Sequence, residues 1–126
     1  MKELTKAEEQ VMQILWDLEQ GFVKDIRARM SEPKPAYNTV STIVRILEKK
    51  GFVSHNVYGN THRYYPLVSR KDYSKKRMSS LVKNYFRNSY SELVSFFAKD
   101  KDISVNEMEE IIEIMNQEIK NKKQDE

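Results

Sequence analysis

The sequence has no cysteine, only three glycines and three prolines, and two histidines among 126 residues. Without cysteine there is no disulfide framework, no thiolate metal site and no thiol nucleophile, and a reducing compartment fits. So few glycines and prolines leave little to interrupt the chain, which favours long helices and short turns. No apolar run approaches the roughly 18 residues of a membrane-spanning helix. The charged start, Met1 to Glu9, is not followed by an apolar segment of signal type, so secretion is unsupported. The expectation is a soluble cytoplasmic protein. Enzyme chemistry is equally bare: no nucleophile is paired with a base, no glycine-rich loop cradles phosphate, and no cluster of metal ligands occurs. His55 and His62 alone fall short of the roughly three or four ligands a stable zinc site needs. No metal, cofactor or small-molecule substrate is expected, and the chain is not read as an enzyme.

What the sequence has in excess is charge, unevenly placed. A net +3 hides three blocks: residues 1–33 sum to −2, residues 34–90 to +10, and residues 91–126 to −5. A basic middle between acidic ends suits an anionic partner, although a basic block is also what an ordinary solvated surface looks like. Residues 75–77, Lys-Lys-Arg, stay open between a second nucleic-acid contact and a solvated helix face.

Thr5 and Glu8 have capping-box spacing. Ala7, Val11, Ile14, Leu15 and Leu18 then lie on one face of a first helix that ends by Gly21, with Trp16 off that face. Phe22 and Val23 form a very short extended segment. Val23, Ile26 and Met30 mark a short second helix, stopped before Pro33 and Pro35. A third helix runs from about Ala36 to Lys50, where Gly51 supplies a stop. Two segments rich in Val and Tyr, Phe52 to Tyr58 and Thr61 to Leu67, flank Gly59-Asn60, a two-residue hairpin turn. Three helices and a hairpin in this order make a winged helix-turn-helix domain.

After Val68 the texture becomes helical throughout: Ser69 to Asn88, Ser91 to Lys99, and Val105 to about Ile119 behind Ser104 and Glu107, with Lys120 to Glu126 as a frayed polar tail. The fold expected is mainly α, a winged helix over 1–68 followed by a helical dimerisation domain over 69–126. In the last helix Met108, Ile111, Ile112 and Met115 form an apolar stripe on an acidic body, and Leu93 and Phe97 add to it. The stripe can fold back or cross to a second chain. A short helical tail has little core of its own, so pairing between chains is the better use of it.

On a helical wheel of about 100° per residue, Val40, Val44 and Leu47 gather on one side of the third helix, with Ile43 beside them. Asn38, Ser41, Thr42, Arg45 and Lys49 turn the other way. A helix that needed only solubility would mix Glu and Lys at spacings of three and four. This face instead carries amides, hydroxyls and cations with no acid. Asn pairs with adenine, Arg with guanine, and Thr touches the thymine methyl in the major groove; Lys49 and Lys50 suit phosphate. Asn38, Thr39, Ser41, Thr42, Arg45 and Lys49 are therefore the candidate reading residues. A plainer alternative is that Asn38 and Thr39 start the helix and Ser41 and Thr42 tolerate exposure; the hairpin that follows weighs against it. In that hairpin Asn60, His62 and Arg63 are placed to touch the backbone or minor groove of duplex DNA.

The residues Leu4-Thr5-Lys6-Ala7-Glu8, Val11-Met12, Ile14-Leu15-Trp16, Asn38-Thr39-Val40-Ser41-Thr42-Ile43 with Arg45, Leu47 and Lys49-Lys50-Gly51, and Arg63-Tyr64-Tyr65-Pro66-Leu67-Val68 resemble the BlaI/MecI penicillinase-repressor family over nearly the whole chain. The resemblance implies a homodimer that binds inverted-repeat operator DNA and blocks transcription, often of β-lactam resistance genes. It also implies a membrane-bound sensor metalloprotease as a partner and a cut in the dimerisation domain that relieves repression. Relatives are cut at an Asn-Phe pair; the matching pair here is Ser95-Phe96, in which the Phe remains and the Asn does not. Copper-responsive relatives use a C-terminal cysteine cluster that this chain lacks. An alternative from another class is a winged helix used only for protein interaction, without nucleic acid; the free face of the third helix argues against it.

Overall fold

The computed structural model describes residues 2–126 and contains six helices and three strands among them. In chain order these are α1 (Lys6–Leu18), β1 (Gly21–Phe22), α2 (Val23–Ala28), α3 (Tyr37–Lys49), β2 (Val53–Tyr58), β3 (Thr61–Pro66), α4 (Arg70–Tyr85), α5 (Tyr90–Ala98) and α6 (Val105–Asp125). About 62% of the chain is helical. The mainly α architecture with a winged helix-turn-helix is as expected. Contacts divide the chain into two units, one up to Arg77 and one from Met78 to Glu126. The change of texture near residue 68 thus precedes the contact break, because the first two turns of α4 pack with the first unit.

The first unit is built on one core. Val11, Met12 and Leu15 of α1, Ile26 of α2, and Val40, Val44 and Leu47 of α3 are fully buried there with Phe52 and Val53. The capping box at the head of α1 forms as its spacing requires: Thr5 Oγ1 accepts from the Glu8 N–H at 3.2 Å, and Glu8 Oε1 accepts from the Thr5 N–H at 2.8 Å. Asp25 does half of the same at α2, its carboxylate accepting from the Phe22 N–H at 2.9 Å. The sheet has the order β1-β3-β2, all antiparallel, with Gly21 opposite Tyr64 and Val53 opposite Pro66. The extended pair after α1 is therefore Gly21–Phe22, and it is a third strand rather than an isolated segment.

Contacts distant in sequence close this unit. The Trp16 indole N–H donates to the Val68 carbonyl at 2.8 Å, and Tyr73 packs between Trp16 and Phe52 with ring centroids 5.7 and 5.9 Å away. The Tyr73 hydroxyl donates to Glu9 at 2.7 Å. Lys50, expected at phosphate, instead points inward: its Nζ lies 2.7 and 3.1 Å from the two oxygens of Glu8. Glu8 is the one buried charged residue of the described chain, and a buried carboxylate demands a cation. Arg77 is likewise turned toward acids, 3.5 Å from Glu3 and 3.8 Å from Glu9.

The second unit is sparsely packed. Val82 is its only fully buried apolar residue among those described. Arg87 and Asn88, both at positive φ, reverse the chain after α4, and Ser89 caps α5 by accepting from the Glu92 N–H at 3.2 Å. Ser104 does the same for α6 with the Glu107 N–H at 3.1 Å. The tail expected to fray is helical to Asp125. Lys122 and Lys123 in the last turn suit the negative end of the helix dipole, and Gln117 bonds Asn121 one turn on at 3.1 Å.

Replacing Lys50 by Ala strands the Glu8 carboxylate and should lower the unfolding free energy by roughly 3 kcal/mol; adding Glu8→Gln should restore part of it, as read from urea melts. Burial works to raise the Glu8 carboxyl pKa, but the Lys50 ammonium and the Thr5 hydrogen bonds prevail and hold it below its usual 4.5. A depressed folded value gives stability that is present above pH 4.5 and lost as pH falls through the folded value. Acid destabilisation should accordingly be shallower in Glu8→Gln. Tyr73 is pushed up to about 12, first by burial and then by its bond to Glu9. Its contribution is present below pH 10 and lost toward pH 12, a loss that Tyr73→Phe should abolish.

Candidate nucleic-acid interface

The seat of α3 decides what it presents. With Val40, Val44 and Leu47 at zero exposure and Ile43 half-buried, the helix is locked in rotation. Asn38, Thr39, Thr42, Arg45 and Lys49 are exposed along its outer face, and Ser41 is half-buried at its edge. Ile46, partly exposed at 39%, lies between them, an apolar side chain that the wheel argument left out. The Thr42 hydroxyl donates to the Asn38 carbonyl at 2.9 Å. Arg45 folds back along its own helix, Nε 3.4 Å from the Ser41 carbonyl and a terminal nitrogen 3.4 Å from the Thr42 hydroxyl. Both contacts are long and exposed, so the guanidinium is loosely parked and free to extend.

Glu48 sits at the edge of this face and does not turn outward. Its Oε2 lies 2.6 Å from His55 Nδ1 on β2, which ties the helix to the hairpin. The one acid of α3 is thereby taken off the free face. His55 stacks on His62 of β3, rings 4.0 Å apart and 7° from parallel.

Alternation along the hairpin separates the candidate wing residues. His62 and Tyr64 share the ribbon face that meets α3, with His55 directly opposite Tyr64 and diagonal to His62. Arg63 lies on the other face, its guanidinium 4.5 Å above the Tyr58 ring and bonded to the Tyr58 hydroxyl. Tyr58 in turn meets Phe22 edge-on at 5.9 Å. Asn60 follows Gly59, whose φ of +60° is the left-handed turn conformation that favours glycine. The structure thus groups α3 with His62 and Asn60, and holds Arg63 apart from them.

Between α2, the start of α3 and β3 lies a cleft of about 290 Å³ lined by Lys24, Tyr37, Ser41, Asn60, His62 and Tyr64, among others. Burial raises the Tyr64 hydroxyl pKa, with the Glu48 charge adding to it, so the phenol stays protonated at neutral pH. Sequence reasoning passed over Lys24 and Tyr37. Neither carries a spacing signal; only the fold of β1 onto β3 brings α2 beside the hairpin.

The family model described as penicillinase repressor matches residues 4–117. The chain belongs to the penicillinase repressor family. A methicillin resistance regulatory protein, MecI, of Staphylococcus aureus is 28% identical over 115 residues, covering 90% of this chain and 94% of that protein. A penicillinase repressor of Bacillus licheniformis is 23% identical over 124 residues, covering 98% and 96%. Among solved structures, the DNA-binding domain of the repressor BlaI matches with a TM-score of 0.50 and 26% identity, covering 58% of this chain and 94% of that one.

In the second unit of this family member, Ser95 and Phe96 lie within α5, both exposed. Phe96 meets Phe86 edge-on at 5.5 Å. Of the candidate pairing residues, Leu93, Phe97, Met108 and Ile111 are half-buried within the chain, whereas Ile112 and Met115 are 57% and 55% exposed.

The rotation of α3 should depend on its apolar seat and little on its tie to the hairpin. Leu47→Ala should cost about 3 kcal/mol. Glu48→Ala, which breaks a pair roughly a quarter to a third exposed, should cost under about 1 kcal/mol. Urea midpoints of the two variants, compared at constant slope, check the order.

Proposed function

We propose that this chain is a transcriptional repressor that binds inverted-repeat operator DNA as a homodimer, and that it is not an enzyme. The observation that carries the reading is the outer face of α3: amides, hydroxyls and cations with no acid, set beside a β-ribbon, on a helix whose other edge is buried. Asn38, Thr42 and Arg45 are the side chains that suit base edges, and Lys49 suits phosphate. Thr39 and Ser41 border that strip at its start and edge. Asn60 and His62 extend it along the hairpin, and Arg63 serves the opposite flank of the wing once it leaves the Tyr58 ring. The relatives' names, a penicillinase repressor and a methicillin resistance regulator, support the same reading.

Homodimer formation is supported by the second unit. One fully buried apolar side chain is a small core for residues 78–126, while Val94, Phe96, Ile112, Met115 and Ile119 remain open to solvent. A second copy that covers this surface uses it as a single chain does not. Pairing also joins two reading heads, so that the second half-site binds at a high effective concentration. The first unit is on this reading the DNA-binding domain and the second the dimerisation domain.

Relief of repression follows from the same arrangement. A cut at Ser95-Phe96 divides the dimerisation unit and leaves the reading head intact, so binding falls through loss of linkage. The agent proposed is a membrane-bound sensor metalloprotease. Because the pair lies inside α5, the segment must unwind before a protease can hold it extended. Ser95 in place of Asn alters the bond's recognition, and the mass of the chain recovered from β-lactam-treated source cells tests this arm: fragments ending at Ser95 support it, and an intact chain removes it.

DNA binding itself is tested by titrating the full chain with duplex fragments selected from its source genome, at two salt concentrations. The affinity should fall steeply as salt rises. Arg45→Ala should cost about 1–3 kcal/mol on the selected duplex and far less on a scrambled one. Equal loss on both would make Arg45 a phosphate contact, and no duplex binding by the wild type would overturn the reading.

A further inference from the structure

We propose that the cleft between α2, α3 and β3 is a seat for one phosphodiester of the duplex backbone, with Lys24 as its cation; the inference rests on the DNA-binding reading above. The cleft opens beside the free face of α3, so a strand that follows that face passes over it. Its polar lining is made of groups that donate hydrogen bonds: the Lys24 ammonium, the Tyr37, Ser41 and Tyr64 hydroxyls, the Asn60 amide and the His62 imidazole. No carboxylate lines it. Asp25, next to Lys24, has its Oδ2 committed to the Phe22 N–H at 2.9 Å, and Glu48, on the far side of the histidine stack, is committed to His55. Among the described residues Lys24 enters no ion pair, unlike Lys50, Arg70 and Arg77. At about 290 Å³ the cleft is small, and a cation beside hydroxyl and amide donors suits a phosphate oxygen.

The consequence is a division of labour across the first unit. Three elements distant in sequence, each anchored in the core, close on one phosphate beside the reading helix. Such a contact carries no sequence information and fixes the register in which α3 meets the bases. Lys24 is in this sense a positioning residue.

The test uses the full-length protein, the selected operator duplex and a scrambled duplex of equal length, with dissociation constants measured over a series of salt concentrations. Lys24→Ala should weaken binding to both duplexes by a similar factor and lower the slope of log K against log salt by about 1. Lys24→Arg should restore most of the slope, and circular dichroism melts should match the wild type because Lys24 is exposed and enters no hydrogen bond or ion pair among the described residues. An unchanged slope in Lys24→Ala, with wild-type binding intact, overturns the seat while leaving the repressor reading in place. Failure of the wild type to bind either duplex overturns both. A third arm replaces chloride by inorganic phosphate at matched ionic strength. Little further displacement of DNA is expected, and strong displacement from the wild type but not from Lys24→Ala would assign the cleft to the free anion and overturn the backbone seat.

Discussion

The burial of Val40, Val44 and Leu47 in the core beside Val11, Met12, Leu15 and Ile26 governs everything the first unit can present. Each such side chain, fully removed from water, contributes on the order of 1.5–3 kcal/mol. The hydrogen bonds that Thr42 and Arg45 make along the outer face are exposed, long or both, and contribute far less. Rotating α3 by one residue would drive Ser41 and Arg45 toward the core and lift Val40 and Val44 out of it. That exchange loses apolar burial and draws the charged Arg45 and Glu48 out of water. The helix therefore has one rotational state, and the polar strip is the remainder after the core has taken its edge.

The same constraint explains how Glu48 is managed. An acid on this helix would repel a polyanion, yet Glu48 stands at the boundary between the two faces. Its bond to His55 uses the negative charge to hold the hairpin against the helix and keeps it off the strip. Lys50 and Glu8 follow a related logic on the core side. Lys50 belongs by sequence to the basic end of α3, but the buried carboxylate in α1 claims it. Local charge pattern thus overstates what is available to a ligand: among the cations between 34 and 90, Lys50 and Arg77 face acids of the first unit and Arg63 lies over a tyrosine ring.

What was legible in the sequence was what short spacing encodes. The period of Val40, Val44 and Leu47 set the buried edge of α3; Thr5 and Glu8 set the start of α1; Gly59-Asn60 set the hairpin register. Each is settled within about two turns of chain, where the geometry is fixed by the backbone. The contacts that escaped are long-range. Trp16 to Val68, Tyr73 to Glu9 and Lys50 to Glu8 span from 42 to 64 residues, and nothing in the local pattern marks either partner. The cleft with Lys24 and Tyr37 escaped for that reason as well, since it exists only once β1 has joined β3. The wheel also passed over Ile46, an apolar residue on a face otherwise read as polar. The polar, charged end of α6 carries no local sign of order, yet it is helical to Asp125 because its lysines stand where the helix dipole favours them.

On the proposed reading two copies of one outward strip meet DNA together. The most direct measurement is a hydroxyl-radical footprint of the full chain on a selected genomic fragment, at nucleotide resolution on both strands. The account predicts two protected patches on one face of the duplex, related by inverted symmetry and centred a whole number of helical turns apart. One isolated patch, or protection without symmetry, would contradict it.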